Sequence, residues 1–224
     1  MKIIDHPEHE ILHSSPGMDK WRIALGARTC YKSKDVPDAN NRLISSCFKN
    51  GHHSVLEHSS VTVRFICDRG VSHELVRHRL ASFSQESTRY CNYSKGRFGS
   101  EITVVKPVRI QPDSLEYDIW EKACRAAEKA YFDLLEQGVR PENARSVLPT
   151  SLKTEVIATA NLREWYHILD LRTARDAHPD IRFMMHGLLL EIYQDYPEIF
   201  TKLMLERNHE FVADFVTKKG MKND

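Results

Sequence analysis

Between Arg77 and Tyr90 the chain reads Arg-His-Arg-Leu-Ala-Ser-Phe-Ser-Gln-Glu-Ser-Thr-Arg-Tyr, with three arginines, a histidine, a glutamine and several hydroxyls in fourteen residues. Arginine carries a planar, permanently charged fork that suits phosphate oxygens or ring carbonyls. Hydroxyls and backbone N–H groups in a turn beside it complete an anion cradle. If a helix capped at Ser72 runs through Leu80, Arg77 and Arg79 project roughly 200° apart and serve different groups. On charge alone, a solvated basic helix end whose cations suit the C-terminal dipole explains the arginines equally well.

Other reactive residue types are less organised. The five cysteines (Cys30, Cys47, Cys67, Cys91, Cys124) are odd in number and scattered, with no Cys-x-x-Cys pair. That speaks against a disulfide framework and a structural zinc site. A cysteine nucleophile needs a neighbouring base or cation, and Cys91, two residues past Arg89, is the one candidate. Ser87 has no base beside it in sequence and reads as a phosphate contact. His52, His53 and His58 could ligate a metal, although histidines at such spacing often cap or pack. His73-Glu74 opens like a zinc-protease helix, but Arg77 stands where the second histidine is required.

The elements that must position these residues belong to a chain of 224 residues, 41% hydrophobic and 28% charged. That suffices for a single domain with a real core and excludes general disorder. The net charge of +1 lacks the basic excess of a nucleic-acid-binding domain. No apolar run approaches the roughly 18 residues of a membrane span, and the first residues lack a secretory signal, so the expectation is a soluble, cytoplasmic protein. Periodicity predicts helices over 18–30, 38–50 and 113–137, with Gly51 and Gly138 as stops. On the longest helix Leu115, Ile119, Ala123, Ala127, Ala130 and Leu134 share a stripe. Strands are expected at 60–68, 102–105 and 154–160, and Asn161 with Glu164 resembles a helix-capping box. Ile181, Met184, Met185, Leu188, Leu189 and Ile192 give the cleanest helical stripe. Trp21, Trp120 and Trp165 are expected to pack, and a polar tail from about 206 to 224 to be loosely held. The sum is an α+β fold, one mixed domain with an antiparallel sheet flanked by several helices.

The order of residues from Arg77 to Arg89, Arg-His-Arg-x-x-Ser-x-x-x-x-Ser-x-Arg, resembles the motif of the flavin-dependent thymidylate synthases. His53-Ser54-Val55-Leu56-Glu57-His58 is similar to the family's stretch before its first strand. Ala144 to Pro149, Asn161-Leu162-Arg163, His167 and Leu171-Arg172 extend the resemblance over about residues 50–181. The resemblance implies methylation of dUMP at uracil C5 with methylenetetrahydrofolate as carbon donor. It further implies a noncovalent FAD reduced by NADPH, and a homotetramer with shared active sites. By the same resemblance Ser54, Arg77, His78, Arg79, Gln85, Asn161, Leu162, Arg163 and His167 contact the flavin. Glu74, Leu75, Val76, Arg77, Gln85, Glu86, Ser87, Thr88, Arg89, Arg145 and Arg172 contact the nucleotide, and Arg172 polarises the uracil ring. The chain departs from the pattern at Gln85, where many relatives carry Glu, at Glu74, where Gln is frequent, and at Ala177-His178-Pro179-Asp180-Ile181, where Ala-Gln-x-Glu-Ile is commoner. Two other classes compete with this reading: a nucleotide- or RNA-binding module using the arginine loop without chemistry, and a metal-dependent hydrolase built on His52, His53 and His58.

Overall fold

A computed structural model describes residues 1–36, 39–94 and 99–212. In chain order the elements are β1 (Lys2–Ile4), β2 (Glu8–His13), α1 (Pro16–Tyr31), α2 (Asn40–Lys49), β3 (Ser60–Asp68), α3 (Arg69–Leu75), β4 (Ala81–Gln85) and β5 (Thr103–Val105). They continue with α4 (Leu115–Glu136), α5 (Pro141–Ala144), β6 (Lys153–Asn161), α6 (Leu162–Thr173), α7 (Pro179–Asp195) and α8 (Pro197–Phe211), with 3-10 turns at His53–His58 and Arg145–Val147. A four-stranded antiparallel sheet runs in the order β2-β3-β6-β4 with flanking helices, and β1 pairs in parallel with β5. The fold class is therefore the α+β class expected.

Two compact units make up the chain. The first comprises Met1–Glu8, Phe65–Arg77 and Phe83–Ile157; the second comprises His9–Arg64, His78–Ser82 and Ala158–Asp224. In the first, Tyr93, Ile102, Val104, Cys124, Tyr131, Ala144 and Leu152 form one buried cluster. In the second, the expected stripe of α7 is buried from Ile181 to Ile192, and Trp165 of α6 is fully enclosed with its Nε1–H donating to the Val61 carbonyl at 3.0 Å. Arg182 and His186 of α7 are buried too, so this helix is enclosed on more than its apolar stripe.

Strand β3 alternates as its sequence requires, with Val61, Val63, Phe65 and Cys67 all fully buried. Gly51 and Gly138 take φ of +77° and +81° beyond α2 and α4, a left-handed backbone that a side chain would strain.

Several expectations need correction. Helix α3 starts at Arg69 and is capped by Asp68, whose Oδ1 accepts from the Val71 N–H at 2.9 Å. Asp68 ends β3 in extended backbone, so it offers a cap four residues before Ser72 does. The helix stops at Leu75; Arg77 and Arg79 lie beyond it, and the helical phase argued for them does not apply. The polar run after Leu80 instead begins with β4, whose residues alternate in exposure although its outward side is serine.

On α4 the buried residues are Cys124 and Tyr131, while Leu115 and Ile119 are 73% and 62% exposed. The aromatic side chains Trp120 and Tyr131 bring more burial area than alanines, and they set the inward face. Glu128 on that side accepts from the Ile102 N–H at 2.9 Å. Trp21 is 48% exposed and does not pack as expected, whereas Trp120 is partly buried and donates to Ser151 Oγ. Residues 206–211 of the expected tail belong to α8, and residues 213–224 lie outside the described residues. Among the described residues no helix is long and apolar enough to cross a membrane.

Candidate functional site

Helix α6 organises a polar cluster in the second unit. Asn161 Oδ1 accepts from the Glu164 N–H at 2.9 Å and fixes the first turn, as the capping pattern predicts. Trp165, Ile168 and Leu169 then enter the core, which leaves Glu164, His167 and Arg172 to face His78. Arg172 Nε donates to His78 Nε2 at 3.1 Å, and Glu164 Oε1 lies 3.7 Å from His78 Nδ1. The His167 ring meets that of His78 edge-on, 5.9 Å between centroids. Burial, then the charge of Arg172 and the proximity of His167, lower the His78 pKa to about 4, so its imidazole is neutral near pH 7.

Among the described residues, His78, Glu164 and His167 form a group that could gather its ligand atoms around a metal ion. The Arg172 guanidinium on His78 is a fixed positive charge at that point and opposes a cation there. Of the histidines read as alternative ligands, His53 and His52 make other contacts. His53 Nε2–H donates to the Phe48 carbonyl at 3.0 Å and its ring stacks on Phe48; His52 stacks on Tyr31.

The same unit brings Ser54 and Arg163 together at the rim of a cavity of about 380 Å³, which Tyr31, His52 and His53 also line. Arg163 Nη1 donates to Glu57 Oε1 at 2.6 Å, which holds the guanidinium at the rim. A hydroxyl, a guanidinium and aromatic rings suit the phosphates and the ring system of a dinucleotide such as FAD, so these residues fit the cofactor that the sequence implies. Arg79 is exposed as well. Leu162 is fully buried, so any ligand contact from that position runs through its backbone.

The first unit holds the nucleotide set other than Arg172. Gln85 turns inward, its Nε2 donating to Ser72 Oγ at 2.9 Å and to Thr154 Oγ1 at 3.3 Å. A carboxylate at this position could only accept from those hydroxyls, so the amide alters the local network and not just its charge. Glu86 is paired with Lys153 Nζ at 2.9 Å. Ser87 Oγ accepts from the Arg89 N–H, and Arg89 lies over the Tyr90 ring. Arg145 Nη1 donates to the buried Thr88 hydroxyl at 3.0 Å, while its Nε donates to the Glu142 backbone carbonyl at 3.2 Å. Glu74 and Leu75 sit on α3, Val76 and Arg77 follow it, and Leu75 is fully buried. The turn at 177–181 starts α7, where His178 Nδ1 accepts from the Asp180 N–H at 3.4 Å.

Three buried cysteines are held as thiols. Burial pushes Cys67 up to about 12 and raises Cys47 and Cys124. Sequence reasoning missed two partners. Glu164 was legible only as a cap, and Lys153 carried no motif at all; both meet residues far away in the chain, which spacing does not reveal.

The buried histidines make a pH prediction. His78 and His186 both have pKa values lowered to about 4, chiefly by burial, against 6.5 in the unfolded chain. Between those values the unfolded state binds more protons, so stability is full above pH 6.5 and falls on acidification. The slope approaches about 1.4 kcal/mol per pH unit for each histidine. Urea midpoints measured at pH 7, 5.5 and 4.5 should decrease in that order; a flat series refutes the neutral-histidine assignment.

Comparison with known proteins adds an independent line. Residues 10–198 match the family described as Thymidylate synthase complementing protein. A flavin-dependent thymidylate synthase of Geobacter sulfurreducens is 35% identical over 187 residues, covering 80% of this chain and 79% of that protein. One from Pyrococcus abyssi is 38% identical over 143 residues, covering 63% and 58%, and one from Thermococcus kodakarensis is 38% identical over 175 residues, covering 78% and 68%. A crystal structure of a UMP/dUMP methylase from Streptomyces cacaoi, bound with 5-Br dUMP, superposes with a TM-score of 0.74 over 90% of this chain and 96% of the other. At 24% identity that likeness speaks for the fold.

Proposed function

The chain belongs to the flavin-dependent thymidylate synthase family, and on that premise we propose that it carries out the reductive methylation of dUMP to dTMP. It is a methyltransferase with FAD as cofactor, methylenetetrahydrofolate as carbon donor and NADPH as reductant. The observation that carries the reading is the guanidinium of Arg172, fixed on a neutral buried histidine. A positive charge held beside uracil N3 and its flanking carbonyl oxygens stabilises the anionic ring character that makes C5 nucleophilic. Because His78 stays uncharged, it orients Arg172 without adding a second cation that would compete for the ring's charge.

Ser54, Arg77, His78, Arg79, Gln85, Asn161, Leu162, Arg163 and His167 are the positions through which the chain would hold FAD, and bound FAD, once reduced, supplies the hydride. Glu74, Leu75, Val76, Arg77, Gln85, Glu86, Ser87, Thr88, Arg89 and Arg145 would hold the nucleotide. Lys153 compensates the Glu86 carboxylate, so Ser87, Arg89 and Arg145 can meet the phosphate dianion without that repulsion. We read the whole chain as one catalytic domain, acting in the cytoplasm as a homotetramer with shared sites, and without nucleic acid or membrane as partner. Recovery in a periplasmic fraction would contradict the location. Light scattering should return a mass of four chains, and a fully active monomer would contradict the shared sites.

Anaerobic incubation with dUMP, methylenetetrahydrofolate and NADPH tests the function. dTMP is the expected product, and none from a flavin-loaded enzyme refutes the reading. Arg79→Ala should lower the flavin that co-elutes on gel filtration, because a guanidinium fork is replaced by a methyl group. Unchanged flavin content would remove Arg79 from cofactor binding.

A further inference from the structure

We infer that Glu164 is a positioning residue for Arg172, acting through the imidazole of His78; the inference rests on the proposed reaction only for what Arg172 is positioned to do. A guanidinium has donors and no acceptor, so the 3.1 Å contact from Arg172 Nε requires a lone pair on His78 Nε2. A neutral imidazole then carries its proton on Nδ1. That nitrogen faces the Glu164 carboxylate at 3.7 Å, with the His78 and Glu164 side chains only 4% and 7% exposed.

A buried N–H needs an acceptor, and on this side the acceptor is a carboxylate. The separation exceeds a made hydrogen bond by about half an ångström, which a small movement on ligand binding closes. A carboxylate on Nδ1–H locks the ring and makes Nε2 a stronger acceptor, the same logic by which outer carboxylates orient metal-bound histidines. The guanidinium is thereby oriented through its Nε edge. Helix α6 spaces the two ends of this relay itself, with Glu164 held in its first turn by the Asn161 cap and Arg172 in its last.

The same tautomer argues against a metal at this cluster. Nε2 is occupied by the Arg172 donor and Nδ1 bears a proton, so neither nitrogen of His78 offers a lone pair to an ion.

The test uses E164A, E164Q and the double variant E164A/R172A of the full chain. In flavin-loaded enzyme E164A should lower kcat for dTMP formation about a hundredfold, with a smaller rise in KM for dUMP. E164Q, which keeps an oxygen acceptor, should fall between E164A and the wild type, and E164A should add nothing in the R172A background. Independently of turnover, the ¹⁵N shifts of the His78 ring should report Nδ1 protonated and Nε2 bare in the wild type, with that preference weakened in E164A. A loss from E164A that persists undiminished without Arg172, or a wild-type His78 protonated on Nε2, overturns the inference. A wild type that makes no dTMP instead refutes the proposed function and leaves the tautomer result standing.

Discussion

Arg172→Ala is expected to cut dTMP formation by about 10²–10³-fold while NADPH still reduces the bound flavin. The expectation follows from where the charge sits. Arg172 is half-buried on the last turn of α6, with its Nε committed to a neutral His78. A guanidinium held this way needs no reorganisation when negative charge develops on a pyrimidine, and its removal leaves that charge to bulk water. The fold should survive, because α6 is anchored by Trp165, Ile168 and Leu169 and not by its polar side. Single-turnover product analysis beside flavin absorbance separates the two half-reactions. Normal dTMP formation in the variant would take Arg172 out of the chemistry.

Trp165→Ala should be the most damaging single substitution in the second unit, costing about 3–5 kcal/mol. The indole is fully buried, and its Nε1–H is donated to the Val61 carbonyl of β3. Truncation leaves a large cavity and deprives that carbonyl of a partner where water has no access. Trp165 also lies between Glu164 and His167 in sequence, so flavin retention should fall along with stability. Urea unfolding read by circular dichroism, beside the flavin content of the purified variant, tests both effects. A loss below about 1 kcal/mol would mean the surrounding helices close over the gap.

How much of this could be read beforehand varied with the kind of signal. Strand β3 and helix α7 were plain, because a period of two or of 3.6 in large apolar residues has one burial solution. The inward face of α4 was misread because alanines were counted as equal to Trp120 and Tyr131, although area buried decides orientation. The start of α3 was misplaced because two residues could cap it, and the end of β3 selected Asp68. Strand β4 was missed because its outward residues are serines, with no propensity to mark it as a strand.

The family and the chemistry it performs were in the sequence, since the identities and spacing from Arg77 to Arg89 and the blocks after it are covalent facts that no folding event alters. What the tertiary structure decided were the partners: Glu164 and Arg172 on the two sides of His78, Ser72 and Thr154 on Gln85, Thr88 on Arg145. Those pairs join residues from 13 to 94 positions apart. Local preference cannot encode such distances. They are fixed only when the apolar faces of the helices and strands are buried together and the polar groups carried with them must find one another.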